Sequence, residues 1–109
     1  MSDLDTPPSA AQLAYIGTQV TNLLDMGALV YMGEDPLPPG LIGTLSQVLP
    51  DGPMNVVVDA TEPLYHQLTM LLLALEWLVI EPPDAQWQIV DHVIDGRVVQ
   101  QRSISMRVE

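Results

Sequence analysis

Apolar positions along this chain recur with different periods, and each period predicts its own element. Leu13, Ile16, Val20, Leu23 and Leu24 repeat at helical spacing, with Gln12, Gln19, Asn22 and Asp25 on other faces. Ser9 and Gln12 supply a capping box ahead of that stripe, and Gly27 is placed to close the helix with a left-handed turn. "ALVYMG" at 28–33 reads as a short strand, and "EDPLPPG" after it as a loop, because clustered prolines can neither extend a helix nor donate to a ladder. Leu41, Ile42, Leu45, Val48 and Leu49 again have helical spacing and predict a short second helix before the "PDGP" turn. "MNVVVD" at 54–59 is a β-branched run suited to a buried strand.

The loudest stretch is "HQLTMLLLALEWLVIEPP" at 66–83, apolar almost all the way round. Leu68–Ile80 contains Thr69 and Glu76 and falls short of the ~20 apolar residues of a membrane span, so a helix in water is predicted, entered through "TEP" at 61–63. It carries two apolar stripes. Leu64, Leu68, Leu71, Leu72, Leu75, Leu78 and Val79 form the broad one, expected to lie on a sheet. His66, Met70, Leu73, Trp77 and Ile80 form the second, separated from the first by seams at Tyr65, Thr69 and Glu76 and at Gln67 and Ala74. Either another helix of the chain covers the second stripe, or another molecule does. Leaving it wet would forgo roughly 1.5–3 kcal/mol per side chain.

The last third alternates with period two on either side of Asp95-Gly96, a pair suited to a type I′ hairpin turn. That register sets Val93 opposite Val98, Ile89 opposite Arg102 and Trp87 opposite Ile104. One hairpin face then carries Trp87, Ile89, Val93, Val98, Ile104 and Met106 together with Asp91, Gln100 and Arg102. Asp91 and Arg102 are expected to pair diagonally across the strands. The elements together predict one α+β domain over residues 9–109, after a flexible lead at 1–8. Its helices would pack on one face of a three- to four-stranded sheet that ends in the hairpin.

Charge changes the picture more than composition does. A hydrophobic fraction of 48% separates the chain from disordered sequences of similar charge, and 109 residues suit a single core. The net charge is −11, and residues 1–96 contain 13 acidic residues but no lysine or arginine. Arg97, Arg102 and Arg107 all lie in the final 13 positions. Such a surface repels nucleic acid and anionic membrane. The acidity is read as a solubility device or compositional bias, or as a face that steers towards a basic partner; its scattered spacing argues against DNA mimicry. The acidic opening "MSDLDTPP" lacks the basic and apolar regions of a signal peptide, so a cytoplasmic location is expected.

Candidate chemistry is sparse. Cysteine is absent, as is lysine, which removes thiolate and Schiff-base chemistry. No nucleophile elbow or phosphate loop is present. His66 follows Glu62 by four residues and Asp59 by seven, a weak metal or acid–base signal, and His92 lies within the hairpin. No catalytic residue, metal site or cofactor is assigned. The expected function is a non-enzymatic module that binds another protein, of the immunity-inhibitor, chaperone or assembly-subunit kind. His66, Met70, Leu73, Trp77, Ile80 and Arg102 are its candidate contact residues, and a homodimer is expected through the second helical stripe or the hairpin edge. The alternative is a ligand-binding or catalytic protein whose site forms around Asp59 and His66 between two copies.

Overall fold

The computed structural model describes residues 9–107, and the expected flexible lead at 1–8 lies outside them. Among the described residues the elements run α1 (Ala10–Asp25), β1 (Leu29–Gly33), β2 (Leu41–Val48), β3 (Met54–Asp59), α2 (Leu64–Val79), β4 (Gln88–Ile94) and β5 (Arg97–Arg107). They form an α+β domain with two helices packed against a mixed sheet in the order β1-β3-β2-β5-β4. β1 and β3 are parallel, and every other neighbouring pair is antiparallel.

α1 starts as its sequence predicts, with the Ser9 Oγ accepting from the Gln12 amide at 3.1 Å and the Gln12 side chain returning to the Ser9 amide at 2.8 Å. Gly27, at φ 88°, ends it, and the Ala28 amide reaches back to the Leu23 carbonyl. Gln19 was expected away from the buried face but is itself buried, while Leu13 and Leu24 are about half exposed. The inward arc is therefore centred on Ile16, Val20 and Leu23 and turned towards Gln19, because α1 packs on α2 as well as on β1.

The expected helix at 41–49 is a strand, and this is why the sheet has five strands rather than three or four. β2 lies between β3 and β5, which supply hydrogen-bonding partners on both sides. Its register shifts between Leu41 and Gly43, so consecutive residues Ile42 and Gly43 both turn inward. A bulge of this kind breaks the period of two and imitates helical spacing in the sequence. Neighbouring strands on both sides then outweigh a weak local signal.

The core is built from Leu23, Ile42, Leu45, Val56, Val58, Met70 and Leu71, all fully buried. α2 begins at Leu64 with Pro63 as its N-cap, so Glu62 lies just before the helix. Its two apolar stripes are the shoulders of a single wide face. Gln67 and Ala74, assigned to a polar seam, lie at the buried centre beside Met70 and Leu71, whereas Leu72 and Val79 of the broad stripe are exposed. Gln67 is satisfied there by donating to the Glu62 carbonyl at 2.8 Å and the Ala60 carbonyl at 3.2 Å.

Met70 reaches the sheet at Gly43. A Cβ there would sit 2.4 Å from the Val57 carbonyl oxygen and 2.6 Å from Met70 Cγ. The backbone cannot retreat, so Gly43→Ala is expected to lower unfolding stability by about 1–3 kcal/mol. Gly17→Ala, mid-helix with open space around it, should raise stability by about 0.5–1 kcal/mol. Urea denaturation of the two variants checks both signs.

Candidate interaction surface

β5 is 11 residues long, and its two halves have different neighbours. Gln101–Arg107 pair with β2, whereas Arg97–Ser103 pair with β4. β2 stops at Val48, opposite Gln101, and one further bond, from the Leu49 amide to the Gln100 carbonyl, ends the body of the sheet. Beyond that point β4 and β5 continue as a two-stranded arm, closed by Asp95 and Gly96 at φ 51° and 76° as the type I′ turn requires. The arm contributes to a shape of 52 × 29 × 29 Å.

The register of the arm is the one expected, with Val93 opposite Val98 and Ile89 opposite Arg102. Its surroundings are not. Leu45, Ile104 and Met106 lie on the buried, helix-covered side of the sheet. By alternation Ile89, Val93 and Val98 continue that side, but there they are 59%, 74% and 66% exposed. Val90 and Ile94, on the opposite side, are also at least half exposed. All seven residues of β4 are exposed.

Where the arm leaves the body, Arg102 holds four segments together. Its Nε donates to the Gln47 Oε1 of β2 at 2.9 Å, and its Nη1 meets the Glu81 carboxylate after α2 at 2.9 Å. The guanidinium lies over the Trp87 ring, 4.1 Å from its centroid, and Trp87 packs edge-on against Trp77 of α2 at 5.7 Å. Gln47 passes the connection on through its Nε2 to the Gly52 carbonyl at 2.8 Å. The expected Asp91–Arg102 pair is therefore replaced: Glu81 takes the arginine, and Asp91 accepts from Gln100 Nε2 at 3.2 Å. Glu81 lies far along the chain, so hairpin register could not reveal it. A cleft of about 460 Å³ opens beside this junction, and the two charged groups on its wall, Glu81 and Arg102, are paired to each other.

The six candidate contact residues are not brought together. Met70 is fully buried in the core, and Leu73 packs partly against it. Trp77 and Arg102 meet through Trp87. Ile80, 72% exposed, caps the C-terminal end of α2. His66 stands at the other end of that helix, its Nδ1 3.1 Å from Glu62 Oε2 and its ring against Tyr65. The exposed aliphatics of β4 were legible as an alternating pattern, but nothing local marked them as uncovered.

Asp59 and His66 have separate partners. Asp59 is buried where β1 and β3 end, accepting from the Leu37 amide at 3.0 Å, the Thr61 amide at 2.9 Å and the Thr61 hydroxyl. Burial pushes its pKa up, but the Thr61 hydroxyl and the two amides outweigh that and hold it below the usual carboxylate value. This is a carboxylate that pins the 34–40 and 60–63 loops.

No protein-family model matches the chain, and neither a curated protein nor a solved structure does. Among the described residues no cluster of three metal-ligating side chains occurs, and no helix is long and apolar enough to cross a membrane.

Two outcomes are expected. Arg102→Ala should cost about 1–3 kcal/mol in a thermal melt, from one hydrogen bond, a stacked cation and a half-exposed ion pair. Asp59 has a folded-state pKa below its unfolded value, so its stabilisation is complete above about pH 4 and is lost as pH falls through the folded pKa. The stability gap between the wild type and Asp59→Asn should thus be widest near neutrality and shrink on acidification, as followed by urea denaturation.

Proposed function

We propose that this protein is a small acidic, non-enzymatic module that binds another protein, with the β4–β5 arm as its apolar contact surface. One observation carries the reading: β4 is exposed along its whole length, and among the described residues the apolar side of the sheet runs out there without a cover. Contiguous exposed aliphatics on a sheet edge are what binding surfaces present and what monomeric surfaces avoid. Covering Ile89, Val93 and Val98 would recover on the order of 1.5–3 kcal/mol each. The contact surface is thus placed on the arm rather than on the helix stripe of His66, Met70, Leu73, Trp77 and Ile80, with Arg102 fixing the arm's root.

The charge pattern supports a basic partner. Residues 1–86 contain 11 acidic residues and no lysine or arginine, so the body draws cations and repels polyanions. Inhibition, chaperoning and subunit assembly are all tasks that such a surface can serve.

A photoreactive residue at position 98 should cross-link to the partner, whereas the same residue at position 72, exposed on α2, should not. Association with that partner should slow steeply between low and physiological salt. Cross-links from position 72 alone, with an on-rate flat in salt, would remove the reading.

A further inference from the structure

We infer that the cleft at the root of the arm receives a basic side chain, arginine or lysine, from the partner. The inference rests on the reading of the arm as a contact surface and names the chemistry at its inner end. Ile89 and Arg102 are opposite each other in register, on the helix-covered side of the sheet. Val98 stands on that side too, four residues and roughly 13 Å along β5 from Arg102. A segment laid over Val98 and Ile89 therefore runs up to the cleft.

Both helices end at this cleft. Met26, Gly27 and Ala28 follow α1, Trp77, Leu78 and Val79 close α2, and all six are on its wall. The two ends are finished differently. The Gly27 and Ala28 amides turn back and donate to the Leu24 and Leu23 carbonyls of α1. α2 has no such turn: Ile80 is extended and gives its amide to the Glu76 carbonyl, and Pro82 and Pro83 have no N–H to offer. Among the described residues, the carbonyls of Trp77, Leu78 and Val79 accept from no protein donor. Neither helix carries a basic residue in its last turn to balance the negative end of its dipole.

Glu81 adds a full negative charge to the same wall. Its Oε1 meets Arg102, its Oε2 has no partner among the described residues, and its side chain is 41% exposed. Asp25 and Asp51 each directly precede a lining residue. Met26, Met54, Trp77 and Leu78 supply apolar surface. The stem of a long cationic side chain lies along such surface while its head reaches carboxylate and carbonyl oxygens. An anion has no comparable place. Arg102, the cation on the wall, already gives Nε to Gln47 and Nη1 to Glu81 and lies over the Trp87 ring.

Titration of the full chain with a blocked glycine–arginine–glycine tripeptide, followed by amide shifts in NMR, reads this directly. The Gly27, Ala28, Val79 and Glu81 amides should move together and saturate, and the lysine tripeptide should move the same set. The citrulline tripeptide, of similar shape but uncharged, should bind at least about tenfold more weakly. Glu81→Gln should weaken the arginine tripeptide about threefold or more. If that variant does not fold, the citrulline comparison on the wild type decides. Equal binding of arginine and citrulline, shifts scattered over the acidic surface without saturation, or preference for a glutamate tripeptide overturns the cation site. A partner that cross-links to position 98 yet binds Glu81→Gln as tightly as wild type overturns the role of the cleft and leaves the arm as a contact surface. Arginine bound in the cleft with no cross-link from position 98 supports the cation site and removes the arm reading instead.

Discussion

β5 has to satisfy two different neighbours, and the rest of the molecule is arranged around that constraint. Its C-terminal half is an interior strand, with β2 on one side and Ile104 and Met106 turned into the core. Among the described residues its N-terminal half has only β4 beside it, and β4 is exposed along its whole length. The change occurs near Arg102, where the sheet passes from covered to open. A long cationic side chain suits that position, because its stem can lie along apolar surface while its head reaches polar partners. Gln47 comes from β2 and Glu81 and Trp87 from the two ends of the connection between α2 and β4, and the guanidinium meets all three. The arm is thereby attached to β2, to the loop after α2 and, through Trp77, to α2 itself.

The wide apolar surface of α2 follows from where the helix lies. It packs on β2 and β3 and against α1, so its buried arc is broader than that of a helix with a single neighbour. Met70 and Leu71 occupy the centre, and Gly43 lets Met70 approach the sheet closely. Gln67 survives at that centre because the two carbonyls it caps belong to the loop entering the helix. At the same end of the sheet, Asp59 ties down two loops with a carboxylate that is fully hydrogen-bonded and therefore tolerable in the interior.

Charge and shape divide the molecule in the same way. The body is acidic and largely covered; the arm, with Arg97 at its turn and Arg102 at its root, is apolar and exposed. An acidic body stays soluble and is selective for the sign of whatever approaches it, and the arm offers a contact that does not depend on charge. Separating the two functions in space lets each act without weakening the other.

The sequence alone determined whatever rests on local chemistry: the Ser9–Gln12 box, the stop at Gly27, the strand at 54–59, and the hairpin with its register set by Asp95-Gly96. The box, the stop and the turn rest on backbone conformations or hydrogen bonds between residues close in the chain, and the strand on its β-branched run. The α+β class and the concentration of positive charge in the last 13 residues were legible for the same reason. Tertiary structure decided the rest. β2 is a strand because β3 and β5 flank it, and its bulge hid the alternation that would have announced it. Arg102 turned from Asp91 to Glu81, Gln47 and Trp87 because elements remote in sequence converge there. The exposure of β4 could not be read from its residues, since Ile89 and Val93 have the same alternation whether or not a helix lies above them. Two helices cover only part of a five-stranded sheet, and which part is settled by how they pack on each other.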